Sequence, residues 1–252
     1  MALFTDGPIS CIEDLTAQDS QLLSVASVEG IDTAQKIAIA QEQMAMDLST
    51  ALNRASRGEI WMAPRAQLSM VVVTPPLKLW HTARALELIY MDAYNSQLND
   101  RYAGKRNQFH ELAGWAYSKL AEIGVGIAAM PVAKANVPFI STMPGALSDG
   151  VYYASIAWMN RAGEEGEAST LATVSTTSST FLIQAGTPPA NAAGWNVYAG
   201  ISSDAMYRQN NSQLQAGQTW QQPSPLVQRG TLPGKGQKPT YLHALPRIVQ
   251  RG

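Results

Sequence analysis

The spacing of apolar residues changes once along the chain, and that change constrains the fold more than any other feature. Up to about residue 124 they recur at steps of three and four, the helical period. Beyond residue 147 they alternate with polar or small residues, the strand period. Between the two, residues 130–145 carry Pro131, Pro138, Pro144 and Gly145 among small residues, which interrupts regular structure. The pattern predicts an α+β chain of two segregated domains. A helical bundle is expected over residues 1–130, a linker at 131–146, an all-β sandwich at 147–228 and an extended C-terminal arm at 229–252. A chain of 252 residues is long enough for both domains.

In the first half, Ser10 stands three residues before Glu13, the spacing of a capping box. Ile12, Leu15, Leu22, Val25 and Ala26 come next at helical intervals, to a stop at Gly30. A second helix is predicted from near Asp32, with Ile37, Ala40, Met44, Leu48 and Ala51 on one face; Gly58 and Pro64 interrupt the stretch after it. Thr74-Pro75 reads as an N-cap with proline at the first helical position. From there Leu77, Trp80, Arg84, Leu88 and Met91 share a face, and Leu79, Leu86 and Tyr90 widen the apolar surface. Such a helix is expected to pack on both sides, against neighbours or another subunit. After a bend near Asn99-Asp100, a further helix carries Tyr102, Phe109, Leu112, Ala116, Leu120 and Ile123 to Gly124. Four helices are expected in all.

In the second half, Tyr152, Ala154, Ile156 and Trp158 alternate with Tyr153, Ser155, Ala157 and Met159. Residues 160–166 read as a polar turn; 171–177, 181–183, 195–199 and Thr219-Trp220 read as short strands of a Greek-key sandwich. No charged residue occurs between Ala168 and Ser203, although isolated sandwiches usually guard their edges with charge. Either neighbours cover these edges or Ser and Thr supply enough polarity. After Pro233, Gly234, Gly236 and Pro239, the apolar Tyr241, Leu242, Leu245, Ile248 and Val249 stand among Lys238, Arg247 and Arg251. That tail reads as an arm that orders on a partner.

Charged residues make up 15% of the chain and the net charge is -1, which argues against a surface built mainly to grip nucleic acid. Cys11 is the single cysteine, so an intramolecular disulfide is excluded, and it is expected to be a small core residue. The apolar stretch 123–133 is too short and broken to span a bilayer, and no signal pattern opens the chain. A protein made in a cytoplasm and not embedded in a membrane is expected. His110-Glu111 begins like a zinc-protease helix, but Gly114 stands where the second His belongs, and His81 and His243 have no metal-ligand spacing. Neither residues 230–235 nor Gly124-Val125-Gly126 completes a phosphate or dinucleotide loop. Glu164, Glu165 and Glu167 read as the solvated tip of a turn rather than a catalytic pair. Asn210-Asn211-Ser212 is a glycosylation triplet, which matters only in a secretory pathway. No catalytic residue, metal ligand or cofactor is assigned, and an enzyme is not expected.

The segment Asp92-Ala93-Tyr94-Asn95-Ser96-Gln97-Leu98-Asn99-Asp100-Arg101-Tyr102, continued by Gly104-Lys105, resembles the helical head-to-tail adaptor proteins of tailed bacteriophages. The opening Phe4-Thr5-Asp6-Gly7-Pro8-Ile9 and the helix from Leu77 through Trp80 fit the same family. The β half is similar to fibronectin type III-like modules appended to phage structural proteins. This rests on Ala157-Trp158-Met159-Asn160 with Gly163 and Gly166, on Gly194-Trp195-Asn196-Val197-Tyr198-Ala199-Gly200, and on Trp220. Minimal adaptors lack such a module.

The resemblance implies a homo-oligomeric ring, commonly of twelve subunits, docked under the portal in the neck of the virion and assembled in the host cytoplasm. The ring would continue the DNA channel toward tail or nozzle proteins, with the genome passing through without specific binding. It implies Asp92, Tyr94, Asn95, Asp100, Arg101 and Tyr102 as the adaptor motif. It implies Tyr241, Leu242, Leu245, Arg247, Ile248 and Val249 as a portal-gripping arm. The alternative is a host-glycan-binding sandwich carried on a helical oligomerisation domain, with Trp158, Trp195 and Tyr198 as a platform. Those aromatics suit a sandwich core better. A wall-degrading enzyme is the third reading, and it lacks a convincing acid pair.

Overall fold

The structure is a computed structural model and describes residues 1–55, 66–97, 100–222 and 225–243. Helices and antiparallel sheets are both present, so the fold is mixed α+β. The chain forms two compact units: residues 7–127 with 239–252, and residues 1–6 with 128–238.

The first unit is built on α1 (Ile12–Gln18), α2 (Leu22–Glu29), α3 (Thr33–Ala55), α4 (Pro75–Gln97) and α5 (Ala103–Ile123). The single helix read between Ser10 and Gly30 is therefore two. Asp19 accounts for the break. Its buried carboxylate accepts the Gln21 N–H at 3.1 Å, the Tyr90 hydroxyl at 2.6 Å and the Lys105 ammonium at 3.0 Å. Asp competes for backbone donors at helix ends and so favours caps over helix interiors. Burial opposes its charge, but these donors outweigh burial and hold the carboxyl below its ordinary pKa.

The first cap also lies one residue later than the spacing suggested. Cys11 N–H donates to Asp14 Oδ2 at 3.0 Å, while Ser10 is buried. Cys11 is exposed, not a core residue, because an N-cap sits at the open mouth of its helix. Gly30, at φ 66°, ends α2 as expected, and Gly124, at φ 95°, ends α5. The interruption read at Gly58 and Pro64 lies outside the described residues, as does Asn99; Asp100–Tyr102 form a 3-10 turn leading into α5.

Helix α4 is the axis of this unit. Ala85 through Tyr90 are buried in one unbroken run, as are Leu77, Trp80, His81 and Ala93. Leu15 of α1, Leu22 of α2, Ile37 and Ala40 of α3, and Phe109 of α5 share its core. His81 is wholly buried, with Nε2 3.1 Å from the Ile37 carbonyl and Nδ1 2.9 Å from Ser10 Oγ. A carbonyl only accepts, so Nε2 carries the proton and Nδ1 accepts from Ser10. Ser10 Oγ also meets Thr82 Oγ1 at 2.8 Å. The network ties the segment before α1, and α3, to α4. After α5, β1 (Val125–Ile127) pairs antiparallel with β9 (Thr240–Leu242).

The second unit holds β2 (Phe139–Pro144), β3 (Gly150–Met159), β4 (Ala172–Thr176), β5 (Ser179–Gln184), β6 (Gly194–Gly200), β7 (Tyr207–Arg208) and β8 (Trp220–Gln221). They form one sheet in the order β2-β5-β8 and another in the order β4-β3-β6-β7. One core takes Tyr152, Ala154, Ile156 and Trp158 from β3, Trp195 and Val197 from β6, Phe181 and Ile183 from β5, and Trp220 from β8. The alternation read along β3 thus assigns its faces. Its other face is covered too: Ala157 and Tyr198 pack with Met206, and all of β6 is buried.

The expected domain boundaries are corrected at three places. Residues 131–146 are not a linker: Val132 and Ala135 lie in the β core, and β2 is a strand of its sheet. Apolar side chains with a core within reach are buried whatever the prolines between them. Residues 1–6 do not belong to the helical unit. Leu3 and Phe4 are buried, and Asp6 Oδ1 accepts the Lys134 N–H at 2.8 Å. The described part of the C-terminal arm is not extended away from the fold. Gln237 is buried, accepting the Val132 N–H at 2.7 Å and donating to the Met130 carbonyl at 2.9 Å.

Of the three glutamates, Glu164 is exposed as read, while Glu165 and Glu167 are half-buried rather than at a solvated tip. Glu165 Oε1 accepts the Tyr198 hydroxyl at 2.5 Å and Asn196 Nδ2 at 2.8 Å, so the turn folds back over β6. Glu164 Oε2 accepts Asn160 Nδ2 at 2.7 Å and Gln237 Nε2 at 3.0 Å, and Glu167 pairs with Lys134 at 2.9 Å.

Burial pushes the His81 imidazole from 6.5 down to about 4, against the pull of Asp14, which is itself paired with Lys78. The unfolded chain therefore takes up a proton below pH 6.5 while the folded chain resists until about 4. Stability is full above that window and falls as pH drops through it, by about 2–3 kcal/mol between pH 7 and 4.5. Urea titrations at both pH values should show this loss in the native chain, and a smaller loss in His81→Asn. Glu165→Ala leaves Tyr198 and Asn196 without their acceptor and should cost about 1–3 kcal/mol in the same assay.

Candidate interaction surfaces

A groove of about 650 Å³ runs over α4 in the first unit, lined by Met44 and Met46 of α3, Trp80 and Arg84 of α4, and Gly114 and Tyr117 of α5. Its position comes from the helix order: α3 and α5 both pack on α4, which forms the floor between them. Trp80 and Tyr117 meet at 4.9 Å between ring centres. The polar side of the groove is satisfied within the chain. Arg84 donates to Gln43 at 2.9 Å and to Glu87 at 2.6 Å, and His110 Nδ1 lies 2.9 Å from the other Glu87 oxygen. His110 is thus a helix-surface residue joined to a carboxylate. No group of three or more metal-ligating side chains occurs among the described residues.

The adaptor-motif residues gather where α4 turns into α5. Asp92 pairs with Lys36 at 2.8 Å, and Arg106 stacks over the Tyr94 ring at 4.6 Å. Tyr102 is buried; its hydroxyl donates to Glu29 at 3.0 Å, and Arg101 lies over its ring at 5.4 Å. Asn95 and Asp100 are exposed. Four of the six thus hold the helical corner together. The arm residues divide. Tyr241 and Leu242 pair with Gly126 and Val125 in the ribbon, while Leu245, Arg247, Ile248 and Val249 lie outside the described residues.

In the second unit, Trp158, Trp195 and Tyr198 are buried, so they form core rather than a glycan platform. A cleft of about 610 Å³ is lined by Leu147, Asp149, Tyr152, Ile201, Tyr207 and Leu226. Asn210 is buried, and its amide donates to Asn196 and Ser212 while its oxygen accepts the Val197 N–H at 2.8 Å. The triplet there is a β-sheet clasp, not an exposed acceptor.

Compared with protein families, curated proteins and solved structures, the chain matches none. The groove was not legible in the sequence. Its residues are scattered over three helices: Met44, Trp80 and Arg84 read only as members of helix faces, and His110 and Gly114 only as a failed metal motif. A Cβ at Gly114 would meet nothing within 4 Å. Gly114→Ala should therefore stabilise α5 by about 0.5–1 kcal/mol, seen as a higher urea midpoint with an unchanged slope.

Proposed function

We propose that this chain is a structural subunit of a homo-oligomeric ring in the neck of a tailed bacteriophage, between portal and tail. The observation that carries the reading is the helical unit's exposed apolar surface. Leu23, Val28, Met46, Trp115 and Tyr117 are exposed on helices of a chain with only 15% charged residues. Exposed apolar side chains of this size suit burial against a partner, and Met46 and Tyr117 border one groove. The sequence resemblance of residues 92–102 to adaptor proteins supplies the partner class. Its mechanism is mechanical: subunits close a ring by heterologous contacts, and the genome passes through the channel without specific binding.

We read the second unit as an immunoglobulin or fibronectin III-like sandwich, segregated from the helical bundle. The order β4-β3-β6-β7 facing a β2–β5 pair matches that arrangement, with β8 on the outer edge of β5 as the departure. The alternative, a host-surface-binding module, draws support from the cleft beside Ile201, which is 68% exposed.

Mass measurement alone and mixed with a portal protein tests the ring reading. Ring-sized particles and a complex with portal are expected; a chain that stays monomeric and ignores portal counts against it. Truncation separates arm from fold. Ending the chain after His243 removes Leu245–Val249 and should abolish portal docking with the unfolding midpoint unchanged. Ending it after Thr231 also removes Gln237 and β9, and should lower stability by several kcal/mol through the lost buried hydrogen bonds and strand pairing.

A further inference from the structure

We infer that β2 (Phe139–Pro144) pairs edge to edge with β2 of a second copy, antiparallel and about a two-fold axis at Ser141. The inference rests on the β unit alone and stands apart from the ring reading. In the order β2-β5-β8, β2 is an edge strand with a neighbour on one side only. The Gly145 N–H donates to the Ser178 carbonyl at 3.2 Å, which continues the β2–β5 register by one residue. Antiparallel bonding alternates, so Phe139, Ser141 and Met143 bond to β5. Ile140 and Thr142 then turn their main-chain N–H and C=O groups outward, and among the described residues no strand lies beyond them. Pro144 falls on the same outward side, where a missing N–H costs the sheet nothing.

What fits such an edge is an extended strand, because only main-chain groups in register satisfy it. The usual guard against such pairing is missing. Residues 135–148 carry no charge, so two copies of this edge meet without repulsion. The occupant is a second copy because the strand is near-symmetric about Ser141. Ile140 and Thr142, both β-branched, flank it; Phe139 and Met143, both large and apolar, come next; Pro138 and Pro144 stand outside them. Set antiparallel, Ile140 of each copy exchanges main-chain bonds with Thr142 of the other. Phe139, 70% exposed, meets Met143, 37% exposed, as a ring against a thioether. Pro138 falls opposite Pro144 and closes the ladder at each end. A shift of two residues would drive a proline against Ile140 or Thr142 of the other copy, so this register is the one the edge specifies. The contact is isologous, the same patch on both copies.

Cross-linking and charge exchange in the full chain test this. Ser141→Cys, in a Cys11→Ser background that removes the exposed native thiol, sets two thiols face to face. At that non-hydrogen-bonded position Cα atoms lie about 4.5 Å apart, within reach of a disulfide. Mild oxidation should give a covalent dimer. Adding Thr142→Pro removes an outward N–H, leaves the β2–β5 ladder whole and should abolish the dimer. Ser175→Cys, exposed on β4 of the other sheet, should stay unlinked. The link forms at one named position, so it reports this contact whether or not rings form. Without cysteines, Ser141→Lys and Ser141→Glu each place like charges opposite each other. By sedimentation each should raise the dissociation constant for pairing about fivefold, and their equimolar mixture should regain the wild-type value. Urea midpoints confirm that each variant is folded. A folded Ser141→Cys chain that gives no dimer, a dimer that survives Thr142→Pro, or equal linking at Ser175→Cys overturns the inference. So do charge variants that pair like the wild type.

Discussion

Helix α4 is buried on nearly every side over Ala85–Tyr90, and a helix in that position exists only if each face is covered. The rest of the helical unit is arranged to do so. α1 and α2 bring Leu15 and Leu22, α3 brings Ile37 and Ala40, and α5 brings Phe109. Two buried polar points index these covers against α4. Tyr90 meets Asp19, which also takes Lys105 of α5, and His81 meets Ser10 and the Ile37 carbonyl. Buried polar groups tolerate few alternative registers, because a slipped helix would leave a donor or acceptor unpaired. The groove is the place on α4 that α3 and α5 leave open.

The β unit solves the same covering problem with chain segments. Its inner strands β3 and β6 are buried on both faces, so the four-stranded sheet cannot face water on one side as many antiparallel sheets do. The 160–168 turn folds over the outer face and is held there by Glu165 on Tyr198 and Asn196. Leu3 and Phe4 from the start of the chain, and Gln237 from near its end, are buried in the same unit. Both ends of the β unit's sequence thus lie in its own fabric; within the uncharged 168–203 stretch β6 is wholly buried, while Thr173 and Ser175 of β4 are exposed.

This arrangement bears on the proposed role. Helix α5 spends its inner face on α4 and leaves Trp115 and Tyr117 exposed. The C-terminal segment is anchored through β9, which pairs with β1 from Val125 to Ile127. The adaptor-like motif at the α4–α5 corner contributes through internal pairs, Asp92 with Lys36 and Tyr102 with Glu29, and so shapes the surface rather than forming it.

Periodicity by itself determined that α3, α4 and α5 are helices, that α4 packs on more than one side, that Gly30 and Gly124 end helices, and that β3 and β6 are strands. These depend on local spacing and on backbone conformations only glycine adopts cheaply. Tertiary structure alone decided the rest. It split the first helix at Asp19, because a buried carboxylate found partners seventy or more residues away in Tyr90 and Lys105. It turned the proline-rich 131–146 stretch and the tail around Gln237 into core and clasp, because burial rewards any apolar or paired polar group in reach of a core. It also brought Met44 of α3, Trp80 of α4 and Tyr117 of α5 to one groove, a relation between helices that only packing on α4 could fix.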